Sequence, residues 1–465
     1  ETLVGLEPGS TSELVPVLAE SYVMSADGLT YTFKLRSGIK FHDGTDFNAD
    51  AVVFNYERFI GLPTELRDYA FYIGDIFGGY GSESNLESAT KIDDLTVAIK
   101  LRKASSNFLL TQTLQVFAIQ SPTALVLGKA DNTEADVTKI TAATGGAGAM
   151  VGTGPFKFKT WNRGSSITLV RNDSYYGAKP TIKTAVFRYI TDATALSNAM
   201  LSGQIDIMST VQAPELLGVF KAKKNLTVYS GSTNCEVTLG MNNARAPFNN
   251  KLVRQAVRQA INKKNLIKTA WSGYGLEIGS FVPPTDPWYE DLSTLYPYDV
   301  NKSKALLKSA GYANGLTINL DLPPIAYATN SGEFIAASLA KVGIKVNLKP
   351  IAWGEWIDRV FTKKDYDMTI VCHIESNDMA IYANPAYYFG YNSTTYQGLI
   401  KKAASAKTQE ARVENLKKAA RLLANDSVSD WLWLIPNLQV AKKTISGIPL
   451  NTVGDAYTVD RITVG

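Results

Sequence analysis

The chain has 465 residues, more than one hydrophobic core usually serves, so two or three domains are expected. Its 47 basic and 43 acidic residues are spread along the sequence and leave a formal net charge of +4, which gives no reason to expect a nucleic-acid partner. No apolar run approaches the roughly 20 residues that a membrane-crossing helix requires, so a helical permease is excluded.

The first block with strong local signals is 28–59, GLTYTFKLRSGIKFHDGTDFNADAVVFNYERF. Leu29, Tyr31, Phe33 and Leu35 alternate with Thr30, Thr32, Lys34 and Arg36, which predicts a half-buried strand. After the turn His42-Asp43-Gly44-Thr45, Asn48 stands where a helix cap belongs, and Val52, Val53, Tyr56 and Phe59 share one face of the helix that follows. Asp43 and Asp46 can pair for general acid and base work, but their place in a turn favours local hydrogen bonds. Leu95, Val97, Ile99 and Leu101 predict a second alternating strand. Residues 144–154, TGGAGAMVGTG, are dense in glycine yet lack the Lys-Ser/Thr ending of a phosphate-binding loop, and read as a flexible connection between domains.

Further along, a helix is expected around Ala193 to Leu201, stopped near Gly203, with Ile205 to Met208 continuing as a strand. Val237 to Met241 reads as a strand, and Leu252, Val253, Ala256, Val257, Ala260 and Ile261 as the apolar stripe of a helix with Arg254 and Arg258 on another face. Lys263-Lys264 and Lys401-Lys402 read as solvated helix faces. Short strands at Leu316 to Leu320 and Ile344 to Leu348, a buried strand at Tyr366 to Val371, a helix from Gln409 to Leu423 and an apolar strand from Trp431 to Ile435 complete a mixed α/β pattern. Only two histidines occur, His42 and His373, and no HExxH, CxxC, EF-hand or G-x-S-x-G signature is present, so metal hydrolysis and acyl transfer lack their usual marks.

Five stretches taken together resemble a known family: block 28–59, residues 151–207 beginning VGTGPFKFKTWNRG, MNNARAPFNNKLVRQAVRQAINKK from Met241 to Lys264, YPYDVNKSKALLKSAGY from Tyr296 to Tyr312, and IKVNLKPIAWGEWIDRVFTKKDYDMTI ending at Ile370. In content and order they resemble the family 5 extracytoplasmic solute-binding proteins of ABC importers, which includes dipeptide, oligopeptide and nickel binders. The resemblance implies an α/β fold of the type II periplasmic-binding-protein kind, with two α/β lobes, a hinge and an inserted α+β domain. Residues 1–14 with 151–236 and 436–465 would form the first lobe (domain I), 15–150 the inserted domain (domain II) and 237–435 the second lobe (domain III). It implies a binding protein rather than an enzyme, without a cofactor and monomeric, which captures a small molecule or short peptide between its lobes and delivers it to a permease and ATPase complex. The implied location is extracytoplasmic, periplasmic or anchored as a lipoprotein. The alternatives are an opine, an oligosaccharide or a metal complex in the same architecture, a carboxylate-dependent hydrolase, and an extracellular receptor or chaperone-like protein that feeds no transporter. The opening ETLVGLEPGSTSELVPVLAES resembles a point some tens of residues into the mature family sequence, so a first strand and a ligand-facing loop are expected to precede Glu1. Cys235 and Cys372 read either as two buried thiols or, in an exported protein, as one disulfide.

The resemblance also implies a ligand site. Trp353 matches an aromatic that walls the pocket of oligopeptide-binding relatives, where a flat ring offers apolar area at low entropic cost; the alternative is a core tryptophan, the role given to Trp356. Peptide binders carry an aspartate shortly after the strand at Tyr366 to Val371, because a desolvated ammonium needs an opposite charge. The gap-free register puts Ser376 there, with Glu375 and Asp378 beside it and able to take the role. His373 stands in the place of an aromatic, next to Ile374, and can donate, stack or pack; one histidine without clustered ligands is poor support for a metal. Asn234 and Cys235 lie where the chain crosses between lobes, where backbone groups can pair with an extended peptide. Tyr387, Tyr388 and Tyr391 offer stacking or packing between lobes.

Overall fold

The computed structural model describes the chain apart from residues 9, 11, 144–149, 375–377, 407 and 452–456; most of the glycine-dense connection therefore lies outside the described residues. β1 (Ala19–Met24), β2 (Thr30–Leu35), β3 (Leu86–Asp93) and β4 (Thr96–Leu101) form an antiparallel sheet in the order β1-β2-β4-β3. The inward set of the two alternating strands, Tyr31, Phe33, Leu35, Val97, Ile99 and Leu101, is buried. Burying such a side chain stabilises the fold by about 1.5–3 kcal/mol. α1 (Ala49–Ile60) starts where the Asn48 side chain accepts from the Ala51 amide, and lays Val52 and Tyr56 on the same core. Leu3 and Val4 join this cluster too.

The turn before α1 is tied locally. Asp46 pairs with Lys40 at 2.6 Å, and Asp43 accepts hydrogen bonds from the backbone and hydroxyl of Thr45 and from the Ser121 hydroxyl. Burial opposes the charged form of Asp43, but the donors from Ser121 and Thr45 outweigh it and hold the carboxyl below the usual range. Because the shift is downward, the stability linked to it is complete at neutral pH and fades as pH falls through the folded-state value. In Ser121→Ala the Asp43 pKa is expected to move up toward the ordinary aspartate value, read by carboxyl NMR titration; an unmoved value would mean that Thr45 alone sets it.

β5 (Phe156–Asn162), β6 (Ser166–Arg171) and β7 (Thr184–Arg188) make a second antiparallel sheet. α2 (Ala193–Leu201) follows, capped by Asp192, and Gly203 at φ +77° turns the chain toward β8 (Ile207–Met208). After β9 (Leu226–Gly231) the chain enters the largest unit: β10 (Glu236–Met241), α3 (Lys251–Ala260), α4 (Lys263–Ala270), β11 (Leu316–Leu322), α5 (Ala326–Ala340), β12 (Ile344–Pro350), β13 (Met368–His373), α6 (Gln409–Asp426) and β14 (Ser429–Leu434). Its five strands run in the order β12-β11-β13-β10-β14; β11 is parallel to β12 and β13, while β10 is antiparallel to β13 and β14. β15 (Asn437–Lys442) then returns to the earlier part of the chain and lies between β8 and β9.

The five-stranded sheet is covered on both faces. Leu239, Leu320 and Ile370 face one cluster with Val253, Val257, Ile335 and Leu339 of the helices, whereas Val371 and Trp431 face an aromatic cluster with Trp356, Tyr382 and Tyr388. At Gly240 a Cβ would come within 2.9 Å of Phe389, so the missing side chain lets that cluster settle on the sheet. One expectation is corrected here. Lys263 is not on a solvated face: its ammonium lies 2.9 Å from Asp430 and donates to the carbonyls of Ile278 and Trp431. An isolated buried charge would be prohibitive, and this one is matched by a carboxylate from β14. Arg254 and Arg258 are likewise buried and donate to main-chain carbonyls, whereas Lys264, Lys401 and Lys402 are exposed. No helix among the described residues is long and apolar enough to cross a membrane.

Candidate ligand-binding site

Two connections join the three-stranded sheet β8-β15-β9 to the five-stranded sheet: β9 leads into β10, and β14 leads into β15. They run side by side. The Ile435 amide donates to the Cys235 carbonyl at 3.0 Å, and the Thr233 hydroxyl donates to the Ile435 carbonyl at 2.5 Å. Because β11 runs parallel to β12 and β13, their carboxyl ends share one edge, where Glu236, which opens the antiparallel β10, pairs with both His373 and Leu434. In open α/β sheets, ligands gather outside such carboxyl ends.

Cys235 and Cys372 are joined in a disulfide with their Cα atoms 5.3 Å apart, so the start of β10 is fastened to the end of β13. The Cys372 amide donates to the Tyr327 hydroxyl at 3.0 Å, and burial pushes the Tyr327 phenol up to about 12. The Cys235 amide is met by the Thr233 hydroxyl. Asn234, also buried, donates from its side-chain amide to the Ile374 carbonyl. His373 is 5% exposed; its Nε2 hydrogen-bonds the Tyr388 hydroxyl at 2.9 Å, and its ring meets the edge of Phe281 with centroids 5.4 Å apart.

Trp353 is 43% exposed, the one tryptophan among the described residues with a large open surface. One face stacks on Trp356 at 5.1 Å with the planes within 5°, and Trp356 is fixed by an indole hydrogen bond to the Thr369 hydroxyl and by edge contact with Tyr388. Rings thus run without a break from Trp353 through Trp356 and Tyr388 to His373. Tyr388 itself is 1% exposed and lies behind His373. Glu375 and Ser376 lie outside the described residues; Asp378 opens the short helix Asp378–Ile381, and its side chain is not described. Asn234, Cys235, His373, Ile374 and Tyr388 are thereby gathered at one strand edge, with Trp353 joined through its partner ring. Sequence reasoning missed Phe281 and Tyr327, which reach this edge from distant segments and carry no local signal beyond being aromatic. Among the described residues no group of three or more His, Cys, Asp or Glu is placed to hold a metal ion.

Residues 13–398 match the model of the bacterial extracellular solute-binding proteins, family 5 Middle. The chain is 28% identical over 455 residues to heme-binding protein A of Haemophilus influenzae, spanning 91% of this chain and 79% of that protein. It is 29% identical over 473 residues to the dipeptide-binding protein of Escherichia coli, spanning 97% and 84%. Among solved structures it superposes with a TM-score of 0.82, at 25% identity, on the ABC transporter-associated periplasmic binding protein DppA from Helicobacter pylori in complex with peptide STSA, covering 100% of this chain and 92% of that one. The fold is the type II periplasmic-binding-protein arrangement, and the chain belongs to family 5 of the bacterial extracellular solute-binding proteins.

Proposed function

We propose that the chain is the solute-capturing component of an ABC importer, which takes a short peptide between its lobes and hands it to a membrane permease and ATPase complex. The observation that carries this reading is the pair of adjacent crossings at 231–236 and 434–437, hydrogen-bonded to each other. Two short connectors side by side form a hinge about which lobes close on a guest without losing register. In this reading residues 1–14, 151–236 and 436–465 are one lobe, 237–435 the other and 15–150 an insertion. Trp353 offers its open face to the guest, Tyr388 holds His373 in place, the segment at Asn234 and Cys235 presents main-chain groups, and Glu375 or Asp378 meets the peptide ammonium. No covalent step is needed; the guest shifts an open–closed equilibrium, and the permease reads the closed form. The protein acts outside the cytoplasm as a monomer, free in the periplasm or lipid-anchored. Relatives named for dipeptides and crystallised with a peptide support this guest.

Calorimetric titration with di- to pentapeptides tests the reading. Micromolar or tighter binding is expected, weakened about ten-fold, or about 1.4 kcal/mol, in Trp353→Ala. Glu375→Gln combined with Asp378→Asn should cost peptides with a free amino terminus about 2–5 kcal/mol and leave N-acetylated peptides unaffected. Absence of peptide binding, with an opine, oligosaccharide or metal complex released from natively purified protein, would replace the peptide by that guest.

A further inference from the structure

The five-stranded sheet carries a cavity away from the crossings. Along β11, Ile318, Leu320 and Leu322 enter the apolar cluster, so Asn319 and Asp321 between them point to the opposite face. There a π-helical turn, Trp356–Thr362, runs past the strands, and a cavity of about 230 Å³ remains, with Arg245, Asn319, Asp321, Lys349, Arg359 and Asp367 in its wall. π-Helical turns are rare and often mark functional sites. None of the wall residues belongs to the proposed cleft. Asp321 is level with Thr369, and β13 runs on from there to His373, about 13 Å of strand.

The charges in this wall do not fully satisfy one another. Asp321 is completely buried; its Oδ1 meets Arg359, but its Oδ2 has no hydrogen-bond partner. Burial raises the Asp321 pKa, against the pull of Arg359. Asp367 takes two hydrogen bonds from Asn319 on Oδ2, while its Oδ1 reaches Arg245 only at 3.7 Å. Arg245 is turned mainly to Asp365, at 2.8 Å. Lys349, exposed next to the end of β12, makes no ion pair among the described residues. A buried carboxylate left short of donors is costly, and a cation held nearby offsets part of that cost. The wall therefore offers the carboxylates of Asp321 and Asp367 inside and, at its rim, Lys349 beside Arg245 and its partner Asp365.

We infer that this cavity is a second solute site, for a small zwitterion with an ammonium at one end of a short chain and a carboxylate at the other. The ammonium meets Asp367, with the charge of the buried Asp321 behind it; the carboxylate meets Lys349, beside the Arg245–Asp365 pair. β-Alanine is a suitable probe, titrated calorimetrically at low ionic strength into the wild-type chain and into Lys349→Met, Asp321→Asn and Trp353→Ala, with folding checked by circular dichroism. One saturable site is expected, at least about ten-fold weaker in Lys349→Met and Asp321→Asn and within about two-fold of wild type in Trp353→Ala. Lys349 is exposed, so its variant decides the matter if Asp321→Asn does not fold. No saturable binding, or wild-type affinity in Lys349→Met or in a folded Asp321→Asn, would overturn the site and leave a cavity filled by water. Loss in Trp353→Ala overturns it too, by placing the probe in the cleft. The peptide titrations use a different ligand, so this site and the cleft can fail independently.

Discussion

Asp430→Asn is expected to destabilise the fold by about 3–5 kcal/mol, the range seen when one partner is removed from a buried ion pair. The Asp430 carboxylate is fully buried, with the Lys263 ammonium at 2.9 Å and the Arg258 guanidinium at 3.4 Å. Both cations are also tied to carbonyls: Arg258 to Ala424 and Gly279, Lys263 to Ile278 and Trp431. Burial lowers the pKa of each cation, and Asp430 is the main opposing influence. With the charge of Asp430 removed, two cations share a dry interior without a counter-ion. Lys263→Met leaves one cation facing one carboxylate and strands two carbonyls, so a smaller loss of about 1–3 kcal/mol is expected. The exposed neighbour variant Lys264→Met should stay within about 0.5 kcal/mol of wild type. Urea denaturation measures all three, and a loss below about 1 kcal/mol for Asp430→Asn would show that the triad is not a structural centre.

The double variant Cys235→Ser/Cys372→Ser should be the second large effect. The two cysteines are 137 residues apart, and closing so long a loop in the unfolded chain corresponds to about 5 kcal/mol in the chain-entropy treatment, with about 2–5 kcal/mol the usual measured cost of losing a native bridge. The fold should persist, because β10 and β13 are paired along their whole length by main-chain bonds independent of sulfur. The expected observation is a lower denaturation midpoint in the variant, matched by wild type treated with reductant. Equal midpoints for oxidised wild type and variant would mean that the unfolded chain is already compact around this pair.

What could be read from the sequence follows from how local each cause is. The β2 alternation and the Asn48 cap act over a few residues, and both appear where the pattern places them. The five block resemblances extended this to the family and its two-lobed fold. Lys263 was misread because its partner Asp430 lies in a strand far along the chain; a Lys-Lys pair looks solvated unless that carboxylate is known to arrive. The pairing of Cys235 with Cys372 stayed open for the same reason, as did the arrival of Phe281 and Tyr327 beside His373 and Cys372. Trp353 could be named by position, but its stacking on Trp356 depends on the turn of the π-helical segment, which composition does not specify. The polar face of β11 did leave a mark, in the alternation of Thr317, Asn319 and Asp321 with Leu316, Ile318, Leu320 and Leu322.

The late strands have a consequence for how this chain becomes a protein. β14 supplies one edge of the five-stranded sheet and β15 the middle of the three-stranded one, and both come near the end of the sequence. Neither half can complete its hydrogen bonding until nearly the whole polypeptide has emerged, and such non-local pairing is slow to form. A chain arranged in this order holds two unfinished sheets until its last strands are in place, so its lobes become complete together and not one after the other.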